Sequence, residues 1–99
     1  MRRAAKVDGN QPAIVAYLRG LGASVLHMHT LGQGAPDLAV GFRGVTYFLE
    51  LKDPSMKPSA RKLTPDEQRF HAEWRGGPLV VVESIEDIMT LLEANSGDA

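Results

Sequence analysis

Residues 34–52 read GAPDLAVGFRGVTYFLELK, and this stretch predicts the β-hairpin that decides the fold. Residues 37–42 read as a short strand, and Pro36 before them suits its start, because proline has no N–H to donate to a sheet. Residues 45–52 give the strongest strand signal of the chain, since they are rich in β-branched and aromatic side chains. Arg43-Gly44 fits a two-residue turn, so we expect the two strands to be antiparallel neighbours.

The register of this hairpin brings charged side chains together at its open end. With a two-residue turn, Phe42 faces Val45, and counting back along both strands brings Asp37 opposite Glu50. Cross-strand neighbours share a face of the sheet, so the two carboxylates would lie side by side. Residues two apart in a strand also share a face, so Lys52 points the same way as Glu50, about 7 Å along the strand. The opposite face of the second strand is mostly apolar and is expected to face the core.

Two carboxylates that converge beside a lysine suit a divalent metal ion. Mg²⁺ takes hard oxygen ligands and keeps several waters, so Asp37 and Glu50 would supply two oxygens, with the Leu51 carbonyl within reach. Lys52 would orient or deprotonate an attacking water, or neutralise developing charge. The set predicts phosphodiester hydrolysis. The plain alternative is a solvated strand face or an ion pair, because Glu-x-Lys alone is common in proteins.

The rest of the chain predicts three helices and two further strands around this hairpin. Apolar spacing, caps and glycines indicate helices over residues 11–21, 65–74 and 85–94, strands over 24–28 and 78–83, and a polar loop over 53–62. Asn10 is expected to cap the first helix, and the continuous apolar run of the last strand predicts burial on both faces. Trp74 is expected in the core or at a dimer interface rather than as a base-stacking platform. Thr64, Pro65 and Glu67 form a capping box at the start of the second helix. The resulting α-β-β-β-α-β-α order predicts an α/β or α+β fold, with a mixed four-stranded sheet flanked by helices.

Composition limits the size and setting of the protein. The chain has 99 residues, 43% of them hydrophobic, and no cysteine, which indicates one domain over residues 1–99 without disulfides or a Cys-based zinc site. Residues 1–9 and 95–99 are expected to be flexible. No apolar run approaches the roughly 20 residues of a membrane helix, and no signal peptide is evident, so we expect a cytoplasmic protein without membrane partners.

The net charge of -1 hides an uneven distribution. Residues 1–75 carry 11 basic and 7 acidic side chains, whereas residues 76–99 carry 5 acidic and no basic ones. The near-zero total therefore does not exclude a nucleic acid partner, because the body of the chain is basic and only its end is acidic.

Three stretches of the chain resemble the virus-type replication-repair nuclease (VRR-NUC) domain, in its stand-alone form, of the PD-(D/E)xK nuclease superfamily. They are GAPDL at residues 34–38, FLELK at 48–52 and LTPDEQRFH at 63–71. The resemblance implies a restriction-endonuclease-like core and DNA cleavage that depends on Mg²⁺ or Mn²⁺. It also implies a homodimer acting on branched DNA such as Holliday junctions, and two symmetric cuts are consistent with a two-fold axis.

The resemblance assigns roles to four side chains. Asp37 and Glu50 become metal ligands, Lys52 the catalytic lysine, and Gln68 an active-site residue that orients Lys52 or a phosphate. One departure concerns the first helix, where the family usually carries a glutamate and this chain reads DGNQ at residues 8–11. Asn10 or Gln11 are candidates for a neutral ligand there, and Asp8 for a carboxylate, which leaves one or two metal ions open.

Several basic side chains are candidates for binding the DNA backbone. Lys57, Arg61 and Lys62 follow the second hairpin strand and would grip phosphates, the alternative being a solvated loop. Arg69 and His71 lie on the helix that carries Gln68, although a half-buried histidine packed on the sheet would also explain His71. An N-terminal basic arm of Arg2, Arg3 and Lys6 is equally consistent with a disordered end.

Two rival functions remain open at this point. A non-catalytic DNA-binding or assembly module would use Asp37, Glu50 and Lys52 as a structural ion network, and the missing first-helix glutamate favours it. A protein-interaction domain with an acidic tail would use only the segregation of charge.

Overall fold

The computed structural model describes residues 9–95 and has the predicted element order. The helices are α1 (Gln11–Gly20), α2 (Pro65–Glu73) and α3 (Ile85–Ala94), with a short 3-10 helix at Pro58–Arg61 in the polar loop. The strands are β1 (Ser24–His27), β2 (Leu38–Phe42), β3 (Val45–Leu51) and β4 (Leu79–Val82). The predicted mixed α/β class and its α-β-β-β-α-β-α order are confirmed, with boundaries that differ by a residue or two.

The four strands form one sheet in the order β1-β2-β3-β4. β1 and β2 pair antiparallel, as do β2 and β3, whereas β4 pairs parallel to β3 after the crossover through α2. Phe42 faces Val45, as the two-residue turn predicts. Arg43 and Gly44 both have positive φ angles, of 51° and 81°, which is the backbone of a type I′ hairpin turn.

The two faces of the sheet have different coverings. One face carries the core, in which strand residues such as Tyr47 and Leu49 pack with Ile14 and Leu18 of α1 and Ile88 of α3. The other face meets the end of α2, where the Trp74 ring contacts the Phe48 ring edge-on at 4.8 Å and the Phe70 ring at 5.6 Å. Glu50 and Lys52 follow Phe48 by two and four residues, so they lie toward this second face, the site face.

The expectation that β4 is buried on both faces is wrong. Val82 belongs to the core at 1% exposure, but Val81 is 38% exposed. Val81 pairs with Glu50 and therefore lies on the site face, which α1 and α3 do not cover. A continuous apolar run could not distinguish this edge strand from a central one.

Helix starts and ends are fixed mainly as the sequence predicts. The capping box at α2 is present, with Thr64 and Glu67 bonded reciprocally, and Ser84 caps α3 through the Asp87 N–H. Asn10 precedes α1 but does not cap it through its side chain. Instead its Nδ2 donates to the Lys52 and Glu83 carbonyls at 3.1 and 2.9 Å, which ties the start of α1 to the ends of β3 and β4.

Some predictions fall on residues 1–8 and 96–99, outside the described part of the chain. They concern the N-terminal basic arm, Asp8 and most of the expected flexible ends. No helix within residues 9–95 is both long and apolar enough to span a bilayer. The single domain and the cytoplasmic location stay predictions.

Candidate active site

Asp37 and Glu50 meet at the open end of the β2–β3 hairpin. Continuing the observed register by one residue from the Leu38–Leu49 pair places Asp37 opposite Glu50, as predicted. The two carboxyl groups are close enough for each to influence the pKa of the other. Asp37 is held in place because its Oδ2 accepts from the Leu51 N–H at 2.8 Å. Glu50 is only 2% exposed, whereas Asp37 is half-buried.

Local strand chemistry directs the Leu51 carbonyl toward the same pair. The Leu51 N–H points to the β2 side, where it meets Asp37, and in a strand the C=O of a residue points to the side of its own N–H. The observed ladder ends at the Leu38–Leu49 pair, and two residues further along the same register Pro36 would come opposite Leu51. Proline has no N–H, so Pro36 cannot donate a ladder hydrogen bond to the Leu51 carbonyl. The Leu51 carbonyl stays a predicted ligand.

Lys52 lies directly after β3 and is 9% exposed. Its main chain continues the parallel pairing, since the Lys52 N–H donates to the Val82 carbonyl at 3.0 Å. Its ammonium Nζ lies 3.7 Å from Glu50 Oε2 and 3.1 Å from Glu67 Oε1. A buried cation is costly unless it is paired, and here two carboxylates from different elements pair with it.

The electrostatics of the pair disfavour the charged form of both carboxyls, even with the Lys52 ammonium nearby. Burial, followed by the charges of Asp37 and Glu67, raises the pKa of Glu50 to about 9. Burial also raises the pKa of Asp37, although the Leu51 N–H opposes the shift. Two buried carboxylates side by side cannot both ionise easily without a compensating cation. Glu50 Oε1 is moreover a buried oxygen with no hydrogen-bond partner among the described residues.

These donors suit Mg²⁺ or Mn²⁺ better than they suit a metal ion whose ligands all come from protein side chains. Residues 9–95 contain no group of three or more His, Cys, Asp or Glu side chains that could hold a metal ion. Mg²⁺ does not require such a cage, since it keeps several waters and is commonly bound through one or two carboxylates. Two carboxylates, one of which has an unpartnered oxygen, meet that need.

Asn10 and Gln11, the candidate neutral ligands at the start of α1, make different hydrogen bonds. The Asn10 amide nitrogen is used by two backbone carbonyls. Gln11 is 3% exposed and its Nε2 lies 3.1 Å from His27 Nδ1. Asn10 Oδ1 and Gln11 Oε1 are both buried without a hydrogen-bond partner in the described chain. Either oxygen is chemically able to act as a neutral ligand, and the choice between them stays a prediction.

The contact with Lys52 that the resemblance suggested for Gln68 is made by Glu67. Gln68 is exposed, and its Nε2 donates to the Leu63 carbonyl at 3.0 Å, which turns the amide toward the start of α2. Sequence reasoning identified Glu67 only as a capping residue. No local pattern could have revealed its second contact, because that contact depends on where the crossover places α2 over the sheet.

A glycine in the loop before β2 fixes this placement of α2. Gly34 has a φ of +82°, and a Cβ there would overlap the Asp66 carbonyl and lie 3.0 Å from the Glu67 nitrogen. Only glycine both adopts this backbone conformation readily and allows so close an approach. The loop that leads into Asp37 therefore packs directly against the helical turn that carries Glu67.

The candidate DNA-binding side chains fall into two groups. Lys57 and Lys62 are exposed in the polar loop. Arg61 is half-buried and pairs with Glu83 Oε2 at 3.4 Å, so it joins the loop to the end of β4 rather than facing solvent freely. Arg69 is exposed and forms a surface pair with Asp66 at 3.3 Å.

His71 and Trp74 have mainly packing roles in the described structure. His71 is half-buried on α2, and burial lowers its pKa, so it is neutral near pH 7. Its Nε2 is buried without a partner among the described residues. The ring of Trp74 packs on Phe48 and Phe70, and its Nε1 donates to the Gly77 carbonyl at 2.9 Å. These contacts agree with the expectation that Trp74 packs rather than stacks on bases.

Comparison with known proteins found one relevant similarity. A solved structure named "VRR_NUC domain" is 33% identical to the chain, with a TM-score of 0.64. The match covers 86% of this chain and 91% of that structure. No family model and no curated protein matches the sequence.

Proposed function

We propose, from the premise that this chain belongs to the VRR_NUC domain family of PD-(D/E)xK nucleases, that it is an endonuclease which hydrolyses DNA with Mg²⁺ or Mn²⁺. The observation that carries the proposal is buried Glu50 beside half-buried Asp37, with an unpartnered Glu50 oxygen and raised pKa values for both carboxyls, next to the Lys52 ammonium. Two carboxylates beside an ammonium suit the binding of a cation and a phosphate better than they suit a purely structural ion network.

Each element of the site has a task in this reaction. Asp37, Glu50 and the Leu51 carbonyl would hold the cation, which when bound supplies an acidified water and stabilises negative charge on the phosphate. Lys52 extends its ammonium beside Glu50, where it is able to neutralise charge on the phosphate or orient the attacking water. Gln68 is a candidate for contacting a phosphate.

Binding of the DNA backbone is assigned to the exposed cations around the site. Lys57 and Lys62 lie in the polar loop that follows β3, and Arg69 lies on α2. Arg61 would join them only by exchanging Glu83 for a phosphate. His71 lies one helical turn beyond Glu67 and is neutral, so it would contribute a hydrogen bond rather than charge.

Branched DNA is the proposed substrate, and a homodimer the proposed active form. Both rest on the resemblance of the chain to stand-alone VRR-NUC domains. A symmetric four-way junction has two equivalent strands to cut, and two copies related by a two-fold axis would present two sites to them.

A non-catalytic DNA-binding or assembly module is the second candidate. The observation that favours it is the absence of a glutamate at residues 8–11, where the family usually carries one. In such a module, Lys52 would serve only to neutralise Glu50 and Glu67.

One experiment separates these functions. The full chain is incubated with a labelled four-way junction and a linear duplex of matched sequence, in Mg²⁺, Mn²⁺ or chelator. Cleavage that needs the metal and is lost in Lys52→Ala supports the nuclease, whereas binding without cleavage under every metal condition supports the module. Asp66→Asn is the matched control, since it removes an exposed charge near the site.

Substrate and assembly are tested separately from the chemistry. Equal cleavage of the junction and the linear duplex would contradict the branched-DNA proposal while leaving the nuclease intact. A monomer mass by light scattering at the working concentration would contradict the homodimer.

A further inference from the structure

One carboxylate oxygen joins the start of α2 to the end of β3. Glu67 Oε1 accepts from the Thr64 N–H at 2.9 Å, which closes the capping box, and from Lys52 Nζ at 3.1 Å. The Glu67 side chain is 17% exposed, so its charge is largely withdrawn from water. These two hydrogen bonds compensate for that loss of hydration.

The two carboxylate contacts of Lys52 are not equivalent. Nζ lies 3.1 Å from Glu67, which is hydrogen-bond length, but 3.7 Å from Glu50, which is not. A cation held by Glu50 would also compete with Lys52 for that carboxylate. Glu67 cannot be drawn away in the same manner, because its oxygen is fixed by the helix start. Glu67 is therefore the anchor that would persist once the site is loaded.

Two contacts hold Glu67, the anchor of Lys52, in position. The capping box fixes the Glu67 side chain on one side. The close approach of Gly34 to the backbone of Asp66 and Glu67 fixes the helical turn on the other. Gly34 lies three residues before Asp37, so the loop that positions one proposed metal ligand also positions the anchor of the lysine.

We propose that Glu67 is a positioning residue that holds the Lys52 ammonium beside the Asp37–Glu50 pair. This role rests on the proposed nuclease function. A lysine side chain has four rotatable bonds, and the hydrogen bond to Glu67 restricts where the Lys52 ammonium lies within its buried surroundings. Displacing a catalytic group by about 1 Å can cost on the order of 100-fold in rate. Glu67 thus links the stability of the α2 start to the placement of the lysine.

The test compares Glu67→Gln with Asp66→Asn in the full-length protein. Glutamine at this position still completes a capping box, so the helix start is kept while the charged partner of Lys52 is removed. Asp66→Asn removes the same charge from the same helical turn but faces Arg69 at the surface. Circular dichroism and thermal melting confirm that both variants fold.

Three readouts are measured for each variant. The first is the single-turnover cleavage rate of a labelled junction in Mg²⁺. The second is the affinity for DNA in Ca²⁺ and for Mn²⁺ alone. The third is the ¹⁵N NMR signal of the Lys52 ammonium in the metal-free protein at mildly acidic pH, assigned with Lys52→Arg. This signal sharpens when hydrogen bonding slows proton exchange and does not depend on activity.

The proposal expects Glu67→Gln to lower the cleavage rate by about 10- to 100-fold and to broaden the Lys52 signal, with DNA and Mn²⁺ affinities within about threefold of wild type. Asp66→Asn should match wild type in the cleavage rate, the Mn²⁺ affinity and the Lys52 signal, and its DNA affinity should not fall, because the change releases Arg69 from its surface pair.

Other outcomes contradict the proposal in recognisable ways. An unchanged rate in Glu67→Gln overturns it, as does a lowered rate with an unchanged Lys52 signal. A parallel fall in metal or DNA affinity would assign Glu67 a structural role instead. If the wild-type protein cleaves nothing with any metal, the nuclease function fails and the positioning role fails with it.

Discussion

Replacing Glu50 with glutamine should stabilise the metal-free protein while abolishing cleavage. Glu50 is 2% exposed and has a pKa of about 9, because burial and the nearby carboxylates disfavour its charged form. Glutamine has nearly the same shape as the protonated acid and never ionises. The substitution therefore removes a proposed metal ligand and, at the same time, the cost of burying a charge.

The direction and size of the effect follow from the raised pKa. A carboxyl whose pKa is higher in the folded state binds its proton more tightly when folded, so the metal-free protein loses stability as pH rises from about 4.5 to about 9. Each pKa unit corresponds to about 1.4 kcal/mol, so at pH 7.5 the loss reaches about 4 kcal/mol. A domain of this size has a total stability of about 5–15 kcal/mol, so the effect is large.

The assay is urea unfolding of wild type and Glu50→Gln between pH 5 and pH 8.5, in chelator and in Mg²⁺. The difference in unfolding free energy, variant minus wild type, should grow with pH by several kcal/mol in chelator. Mg²⁺ should stabilise wild type most at high pH and should not stabilise the variant. Glu73→Gln, which changes an exposed carboxylate of α2, is the control and should show a flat difference.

Two results would refute this reasoning. A difference that stays constant across the pH range would show that Glu50 titrates normally and that its surroundings do not disfavour charge. Stabilisation of Glu50→Gln by Mg²⁺ equal to that of wild type would show that the cation binds elsewhere.

Three further predictions concern the packing around the site and the basic side chains assigned to DNA binding. Gly34→Ala should lower the cleavage rate by about 100-fold, because the added Cβ displaces the first turn of α2. Gly32→Ala is the control: Gly32 also has a positive φ but faces open space, so this change should lower only stability. Equal activities of the two variants would exclude a role for the close approach of Gly34 to α2. Asn10→Ala should destabilise the domain by about 1–3 kcal/mol in urea unfolding, since two backbone carbonyls lose their donor, and a change under about 0.5 kcal/mol would contradict that tie. Replacing Lys57 and Lys62 together by alanine should weaken junction binding and reduce the salt dependence of log K by about 2, without altering the saturated cleavage rate; an unchanged salt slope would place the phosphate contacts elsewhere.

The predictable part of the site is the part that local geometry determines. The pairing of Asp37 with Glu50 follows from a two-residue turn and the strict alternation of a strand, because one residue of slip would send every side chain to the other face. The capping box at Thr64 is likewise a short-range pattern. Both could be derived from the sequence, since neither depends on how distant elements pack.

The parts that could not be predicted depend on long-range placement. The contact between Glu67 and Lys52 requires α2 to cross the sheet at one height, which the Gly34 contact sets and no periodicity reveals. The same limit explains the exposure of Val81, since the burial of a strand face depends on which helices cover it. Asn10 was predicted as a cap, but distant carbonyls compete successfully for its amide.

The energetics of the site bear on the choice between a nuclease and an inert module. Buried ion pairs are weak contributors to stability, and replacing them with apolar side chains of similar volume is often neutral or stabilising. A module selected only for folding and DNA affinity would gain by losing Glu50, whose charge is disfavoured by burial and whose Oε1 has no partner among the described residues. Retaining such a group costs stability in the absence of a cation, and the cost disappears when a cation binds. A buried carboxylate whose charge is disfavoured, with a second carboxylate beside it, gains stability when a cation binds, and that property suits a metal-dependent hydrolase better than a scaffold.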